Sequence, residues 1–420
     1  MFEEYTLDNG LRVILVHQSG TESVTSLAMY PVGSRYEPES LSGASHYIEH
    51  IMFKGTQKRK TTQTLTREID KFGAEYNAFT GKESTGYYIK VGASYFTTAV
   101  DLLSDMLFHS LFDAKEMERE KTVIVEELRM YRDNPLMNID SIFESLLYRG
   151  SPLGRDIGGT DKHVLDFKRP EVLAYREQHY HPKNMTLVVS GALPGDTRHI
   201  LQTYFGSFQS DKHFKALRFK PGHFGSEKKA DRIVVDYKQT DQTQLMLGFP
   251  AFEYGRNEHA ALSLMNTILG GSMSSRLFIQ IRERRGLAYM ISSGTERFRD
   301  SGYMYVRAGL ESKNINKAIE VIKKEMMKIA EKGVTERELK DAKTHIRGSL
   351  TLSMEDSSVQ ANWYAKQALF MKSIETPEQQ LQAIEQVSLD EVKCLAKKVF
   401  KFQSMRVAVI GAVNKDDVHF

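Results

Sequence analysis

The sequence predicts an α+β fold built from two homologous α/β domains, each an antiparallel-rich sheet covered by helices. Apolar and alternating segments typical of strands occur in both halves of the chain, and amphipathic segments typical of helices separate them. The length of 420 residues, with 41% hydrophobic and 26% charged residues, is sufficient for two domains of ordinary size. We therefore expect a globular protein that arose by internal duplication.

Two pairs of segments carry the internal repeat. The apolar strand at residues 405–412 matches the strand at residues 185–192, and the helix at residues 334–350 aligns with residues 112–128. Both offsets lie close to 220 residues. The same elements are therefore expected in the same order in each half.

The repeat also predicts the domain boundaries. We expect an N-terminal domain of residues 1–212, a linker of residues 213–230 and a C-terminal domain of residues 231–420. The linker region is rich in Lys, Gly and Phe and has no clear period, which is typical of a segment between domains.

Composition excludes several classes of protein. The net charge of +3 is small for this length and no long basic run is present, which argues against a nucleic-acid binder. Cys394 is the single cysteine, so no intrachain disulfide can form and a reducing compartment is favoured. Neither a secretory signal nor an apolar run long enough for a membrane span is visible. We expect a cytoplasmic protein with no membrane association.

The N-terminal half opens with strands. Asp8-Asn9-Gly10 predicts a tight hairpin turn, because Asn-Gly accepts positive φ, and it is flanked by strand-like residues 5–7 and 11–16. Further strands are predicted at residues 24–29, 74–79 and 84–91. Helices are predicted at residues 64–72, 95–108, 113–132, 139–147 and 170–179.

The main candidate for a metal-binding and catalytic site is the motif His46-Tyr47-Ile48-Glu49-His50. In a helix, positions three and four apart share a face, so His46, Glu49 and His50 can point into one cavity. Two neutral imidazoles are good ligands for a borderline-soft divalent cation, and Glu49 beside them is the expected general base. Ser42 or Ser45 can cap this helix. The alternative is that these are unrelated polar residues on a solvated helix face.

This motif and the pair Glu120 and Glu127 resemble the pitrilysin and insulinase superfamily of zinc metallopeptidases, in its mitochondrial-processing-peptidase-like, two-domain branch. The resemblance implies one zinc ion per chain, held by His46, His50 and Glu127, with Glu120 as an outer carboxylate that does not bind the ion. Seven residues are almost two helical turns, so both glutamates lie on one stripe of their helix. Glu126 is a competing ligand, but it points away from that stripe.

A substrate-binding edge strand is also implied by the resemblance. In the family, the strand that matches residues 74–79 is an exposed edge to which a peptide adds as an extra strand, since unpaired edge amides bind backbone of any sequence. Asn77, Ala78 and Phe79 would then bind substrate. The alternative for Asn77 is an amide near a turn with no substrate role.

The second half carries a motif of its own at residues 275–289. It resembles the family's Arg/Tyr segment, so Arg282 and Tyr289 are expected to contact substrate opposite the metal and to stabilise developing oxyanion charge. From spacing alone, Arg282 would instead belong to a solvated basic run and Tyr289 to a buried strand. In the repeat alignment Glu120 maps to Ala342 and Glu127 to Ser349, so only the first half is expected to hold the metal.

The function implied is that of a zinc-dependent endopeptidase that cleaves extended or unfolded peptides inside a clam-shell chamber. Longer relatives place the metal and the Arg/Tyr pair in different domains of four. By analogy, a homodimer with composite active sites is expected here, and a heterodimer with a degenerate partner stays open. The main alternative is a noncatalytic peptide-binding or assembly subunit of a heterodimeric peptidase. A zinc-dependent hydrolase of a small molecule is disfavoured by the edge strand.

Overall fold

Two β-sheets, each covered by helices, form the framework of the chain. The computed structural model describes residues 2–208, 218–226 and 228–420. The strands are β1 (Phe2–Thr6), β2 (Arg12–His17), β3 (Ser23–Tyr30), β4 (Glu75–Thr80), β5 (Thr85–Gly92), β6 (Thr186–Gly191), β7 (Ile233–Tyr237), β8 (Thr243–Ala251), β9 (Ala288–Arg297), β10 (Gly302–Leu310) and β11 (Arg406–Gly411). The predicted strands at 24–29, 74–79 and 84–91 are confirmed to within two residues at each end.

The helices lie between the strands, as predicted. They are α1 (Ala44–Ile51), α2 (Thr62–Asp70), α3 (Phe96–His109), α4 (Ala114–Asp133), α5 (Pro135–Leu147), α6 (Asp161–Asp166), α7 (Arg169–His179), α8 (Thr197–Leu201), α9 (His259–Gly270), α10 (Ile315–Lys332), α11 (Glu336–Ser353), α12 (Ser357–Phe370), α13 (Pro377–Gln386) and α14 (Leu389–Val399). Segments of π-helix occur at Gln202–Gly206 and Phe278–Glu283. Among the described residues, no helix has the length and apolar composition needed to cross a bilayer.

The five-stranded second sheet repeats the order of five of the six strands in the first sheet, and β1 has no counterpart in it among the described residues, which supports the predicted duplication. Their strand orders are β1-β2-β6-β3-β5-β4 and β7-β11-β8-β10-β9. The repeated strands β6 and β11 take equivalent places, because each pairs parallel with one neighbour and antiparallel with the other. All other pairs are antiparallel. The predicted α+β class with antiparallel-rich sheets is therefore confirmed.

The predicted hairpin at the start of the chain is also present. β1 pairs antiparallel with β2, and the turn between them is closed by the hydrogen bond from Gly10 N to the Leu7 carbonyl at 2.8 Å. Gly10 has φ of +85°, a backbone conformation that glycine adopts without strain. Asn9 supplies a further contact, since its side-chain amide donates to the Phe205 carbonyl at 2.7 Å.

The chain divides into two compact units that are not contiguous in sequence. The first unit comprises Met1–Arg129, Arg155–Lys220 and Leu352–Ile374, and the second comprises Met130–Gly154, Pro221–Thr351 and Glu375–Phe420. The boundaries 1–212 and 231–420 that the repeat predicts assign each half of the sequence to one domain. The two units instead exchange segments, since each contains a segment from the other half. Part of the predicted linker 213–230, namely residues 213–217 and 227, lies outside the described residues.

The exchange places one helix from each half on the other half's sheet. In the first unit α12 packs on β3 and β6, and Ala361, Tyr364 and Ala365 are buried against Leu27 and Val188. In the second unit α5 packs on β8 and β11. Its buried side chains are Ile139, Phe143 and Leu147, which join a cluster with Met246 and Ala408. Each sheet thus completes its core with a helix from elsewhere in the chain.

Candidate metal centre

The helix α1 presents its polar side chains on one face because its apolar side chains hold the other face in the core. Ala44, Tyr47, Ile48 and Ile51 are buried at the spacing of one helical stripe. The Tyr47 hydroxyl donates to the Met117 carbonyl at 2.5 Å and so ties α1 to α4. The remaining face carries the predicted site residues, all half-buried, on successive turns.

The structure brings three predicted ligands together in the first unit. Glu127 Oε2 lies 3.7 Å from His46 Nε2 and 3.3 Å from His50 Nε2. One ligand atom from each of the three side chains falls within 4.8 Å of the other two. In the described part of the chain, no other group of three His, Cys, Asp or Glu side chains meets this condition. The competing residue Glu126 is exposed and pairs instead with Arg129 at 2.6 Å.

The donor set fits a divalent zinc ion. Zinc sites of the catalytic type use three protein ligands drawn from imidazole nitrogens and carboxylate oxygens, and keep a fourth position for water or substrate. His46, His50 and Glu127 supply two imidazole nitrogens and one carboxylate oxygen from two different helices. The group therefore has the number and kind of donors that the predicted ion requires.

The two histidines differ in protonation. Burial and the neighbouring His50 ring lower the pKa of His46 to about 4, against the opposing effect of Glu127 and Asp156. Burial alone would lower the pKa of His50, but its hydrogen bonds to Glu120 and Glu127 outweigh burial and raise it to about 9. Neutral His46 is ready to bind a cation at pH 7, whereas cation binding at His50 must displace a proton.

Glu120 contacts the His50 ring at the nitrogen that faces away from Glu127, and so orients this ring. Its side chain is buried, with Oε1 3.0 Å from His50 Nδ1 and Oε2 2.6 Å from Lys54 Nζ. Burial alone would raise the pKa of Glu120, but His50 and Lys54 lower it, so it is ionised at neutral pH. A carboxylate that accepts from the far nitrogen of a ligating histidine fixes the ring's orientation and tautomer.

Lys54 was not predicted from the sequence. It lies beyond the last residue of α1, so the helical spacing that links His46 and His50 does not extend to it. The sequence signal that could have found it is weak, namely a lysine one turn beyond a ligand motif. Its ion pair with Glu120 depends on where the chain turns after the helix.

Glu49 lies on the same face and is held by the end of β4. The Thr80 hydroxyl donates to Glu49 Oε2 at 2.5 Å. Burial raises the pKa of Glu49, while Thr80 and His50 lower it and Glu127 raises it further. A raised pKa suits a general base that must accept a proton and give it back. Thr80 is a second contact that the sequence did not predict.

The predicted substrate-binding residues lie on an edge strand. β4 ends the first sheet, and its one neighbour among the described strands is β5. Asn77 is exposed, and its Oδ1 accepts from the Ala78 backbone N–H at 2.9 Å. Ala78 and Phe79 are half-buried. β4 is therefore an edge strand, as strand addition requires, and Thr80 at its end connects it to Glu49.

The predicted Arg282 and Tyr289 meet in the second unit. The Arg282 guanidinium lies 5.2 Å from the centre of the Tyr289 ring and 4.8 Å from that of Phe278. Tyr289 is 74% exposed, so the alternative of a buried strand residue is wrong. It sits on the edge strand β9 at a bulge, where successive partners of β10 are Met290 and Ala288. The bulge turns Tyr289 out of the ladder.

An open cavity of about 370 Å³ surrounds this pair. Backbone and side chains from β9, the end of β10 and the turn before β9 form its walls. Its polar lining includes Gln242, Arg282, Tyr289, Glu311 and Asn314. Hydrogen-bond donors and acceptors are therefore both present in its walls.

The predicted side-chain caps for α1 are wrong. The N-cap residue is Gly43, and neither Ser42 nor Ser45 supplies a capping oxygen to the helix. In the second unit, Ala342 is buried and Ser349 is exposed on α11, at the positions that correspond to Glu120 and Glu127. The second unit therefore has no carboxylate at either of these two positions.

Comparisons with known proteins agree with this architecture. A family model described as Insulinase (Peptidase family M16) matches residues 12–161, and one described as Peptidase M16 inactive domain matches residues 166–346. A Bacillus subtilis relative named uncharacterized zinc protease YmxG is 32% identical over 400 residues, which covers 95% of this chain and 96% of the relative.

Solved structures share the fold along almost the whole chain. A protease from Helicobacter pylori superposes with a TM-score of 0.92 at 21% identity, covering 98% of this chain and 99% of the other. A Pseudomonas fluorescens structure titled peptidase M16 inactive domain gives 0.89 at 17% identity, covering 98% of each chain.

The fold and the matches together place the chain in a class of metallopeptidases built from two related units. The family models and the relatives make the assignment specific: the chain belongs to the pitrilysin and insulinase family, peptidase family M16, in its short two-domain form. The resemblance noted from the His-x-x-Glu-His motif and the glutamate pair is therefore confirmed. Zinc is the metal named for the relatives.

Proposed function

We propose that this protein is a zinc-dependent endopeptidase that cleaves extended or unfolded peptides. The observation that carries the proposal is the cluster of His46, His50 and Glu127 with Glu49 on the same face of α1. His46, His50 and Glu127 would hold one zinc ion per chain. The chemistry that bound zinc supplies is Lewis-acid polarisation of the scissile carbonyl and a lowered pKa for water, to about 7.

Glu49 acts as the general base. Its carboxylate accepts a proton from the attacking water and then passes it to the leaving amine nitrogen. The Thr80 hydroxyl, 2.5 Å from Glu49 Oε2, holds the carboxylate in one orientation between these two transfers. Glu120 and Lys54 keep the His50 ring in place, since rotation of that ring would remove a ligand nitrogen.

The edge of β4 binds the substrate backbone. A peptide in extended conformation adds antiparallel or parallel to this edge, with Asn77, Ala78 and Phe79 as its neighbours. Backbone pairing is indifferent to side chains, so affinity comes from the extended state rather than from one sequence. Folded proteins are poor substrates because their strands are already paired.

Arg282 and Tyr289 bind the substrate from a second side and stabilise oxyanion charge. A fixed cation and a phenol hydroxyl are suitable donors for a developing negative oxygen. We propose that a homodimer forms composite sites in which one copy supplies this pair to the other copy's metal centre, within an enclosed chamber. A heterodimer with a degenerate partner is the alternative assembly. Cytoplasmic location is part of the same proposal.

The experiment that tests the activity compares cleavage of a quenched fluorescent peptide by the wild type and by Glu49→Gln, each with and without chelator. The amide cannot accept the proton, so we expect Glu49→Gln to retain zinc and to lose at least about 10³-fold in kcat. Chelation should abolish wild-type cleavage, and added zinc should restore it. Wild-type turnover by Glu49→Gln would refute the base assignment.

A noncatalytic peptide-binding or assembly subunit is the second candidate. It is favoured by the matching family model described as an inactive domain, although that model matches residues 166–346, outside the ligand motif. A subunit of this kind would bind the quenched peptide with an affinity independent of chelator and would leave it intact. The same assay therefore separates the two functions.

A further inference from the structure

The start of α1 cannot be capped by its own N-cap residue. Gly43 occupies that position with φ of +95°, and a Cβ atom built there would lie 2.3 Å from the Gly158 carbonyl oxygen. Serine, threonine and aspartate, which normally cap helices, are therefore excluded by both the backbone conformation and the contact. The free N–H groups of the first turn need an acceptor from elsewhere in the chain.

Glu37 supplies that acceptor from six residues upstream. Its Oε2 accepts from Gly43 N and its Oε1 accepts from Ser45 N, both at 2.7 Å. The residue is 4% exposed, so little water competes for these donors. One carboxylate therefore spans two backbone amides at the positive end of the helix dipole, where negative charge is stabilising.

Glu37 is itself held in place. The Arg155 guanidinium donates to the Glu37 backbone carbonyl at 3.0 Å, and Lys82 Nζ donates to the Arg155 carbonyl at 2.5 Å. Burial raises the pKa of Glu37 to about 7, against the lowering effect of the Ser45 and Gly43 amides and of Arg155. Above pH 8 the carboxylate is thus the dominant form.

The cap lies next to a predicted ligand. His46 directly follows Ser45 and belongs to the first turn of a helix of eight residues. A helix this short is marginal on its own, and its first turn is the part that frays. The loop that excludes a side chain at Gly43 also lies beside His46, since a methyl group built at Gly158 would come within 3.5 Å of His46 Nδ1.

We propose that Glu37 is a positioning residue for the metal centre: by fixing the first turn of α1, it fixes the His46 imidazole relative to Glu127. This inference rests on the proposed function, since it assumes that His46 and Glu127 bind zinc. Glu37 does not touch the ion. Loss of Glu37 leaves the buried amides of Gly43 and Ser45 without an acceptor and lets the first turn of α1 open. Zinc binding must then reorder this turn, which weakens the affinity for zinc.

The test uses the full chain with three substitutions, Glu37→Gln, Glu37→Asp and Glu39→Gln. Gln retains one acceptor oxygen, Asp retains the carboxylate but is too short to span both amides, and exposed Glu39 is the matched control two residues away. Zinc affinity is measured at pH 8 by competition with a chromophoric chelator. The visible absorption of the cobalt-substituted protein reports ligand geometry, and thermal unfolding of the zinc-free protein reports stability separately.

We expect the zinc dissociation constant to rise about tenfold or more in Glu37→Gln, a few-fold in Glu37→Asp and not at all in Glu39→Gln. The cobalt spectrum should change in the first two variants only. Wild-type zinc affinity and cobalt spectrum in whichever Glu37 variant folds would overturn the inference, even if its thermal stability fell. If the wild type itself bound no zinc, the proposed function would fail, and the inference with it.

Discussion

Glu120 Oε1 lies 3.0 Å from Nδ1 of His50, and the carboxylate is buried. Its other oxygen is paired with Lys54, so the charge is balanced and the ring of His50 has one preferred orientation. This relationship makes Glu120 the partner that decides which nitrogen of His50 faces Glu127.

Substitution Glu120→Gln should therefore weaken zinc binding without removing a ligand. We expect an increase of about 10-fold to 100-fold in the zinc dissociation constant, the usual effect of losing the carboxylate behind a ligating histidine. Competition with a chromophoric chelator measures it. Glu126→Gln on the same helix is the control, because Glu126 is exposed and pairs with Arg129. Equal zinc affinities for the two variants would contradict the role given to Glu120.

Composite active sites predict complementation between two inactive variants. Glu49→Gln removes the base, and the double variant Arg282→Ala with Tyr289→Phe removes the substrate-binding pair. In mixed dimers with composite sites, one of the two sites regains a complete set of residues. Mixing equal amounts after subunit exchange should restore about a quarter of wild-type peptidase activity, as random pairing in a symmetric dimer requires. If the pair acted within its own chain, mixing would restore nothing.

The helix α5 should stabilise the second unit although it comes from the first half of the sequence. Phe143 is fully buried on β8 and β11, and we expect Phe143→Ala to cost about 3–5 kcal/mol of the free energy of unfolding. Hydrogen exchange followed by mass spectrometry should show faster exchange in β8 and β11. Met137→Ala on the same helix is the control, since Met137 is 42% exposed. Faster exchange confined to the strands of the first sheet would contradict this packing.

Glu338 accepts a hydrogen bond from Thr335 N at the start of α11, and its ionisation predicts a pH dependence of the free energy of unfolding. Burial alone would raise the pKa of Glu338, but Arg276 and Thr335 lower it from the ordinary value of 4.5 to about 2. The Glu338 carboxylate binds a proton less tightly in the folded state than in the unfolded chain. Its contribution to the free energy of unfolding is therefore complete above pH 4.5 and is lost as the pH falls towards 2.

Thermal unfolding of wild type and Glu338→Gln between pH 7 and pH 3 measures this effect. The variant should be less stable by about 1 kcal/mol at pH 7, because the amide keeps an acceptor oxygen for Thr335 N but loses the charged hydrogen bonds to Arg276, and the difference should shrink on acidification. Glu336→Gln, at an exposed position in the same turn, should follow the wild type. A constant difference between wild type and Glu338→Gln over this pH range would show that the charge of Glu338 is unimportant.

Local patterns predicted the elements and much of the site. Asn9-Gly10 predicted the first hairpin, and the helical spacing of His46, Glu49 and His50 placed them on one face because the apolar residues between them had to face the core. The repeat predicted that β6 and β11 would take equivalent places. These features depend on residues that are near each other in sequence or that repeat with a fixed offset.

The features that escaped prediction depend on contacts between distant segments. The cap of α1 comes from Glu37 because Gly158 leaves no room for a side chain at Gly43, and no periodicity encodes that contact. The exchange of α5 and α12 escaped for a related reason. An amphipathic pattern states which face of a helix is buried but not which sheet buries it. Lys54 reaches the site from the turn after α1 and Thr80 from the end of β4, and helical spacing encodes neither contact.

Zinc content per chain tests the central claim most directly. The wild type, Glu127→Gln and Glu126→Gln, purified without chelator and dialysed against buffered zinc, are analysed by inductively coupled plasma mass spectrometry. With His46, His50 and Glu127 as ligands, we expect about one zinc per chain in the wild type and in Glu126→Gln, and close to none in Glu127→Gln, because a three-ligand site loses an anionic donor. Full zinc occupancy in Glu127→Gln, or no zinc in the wild type, would contradict the account.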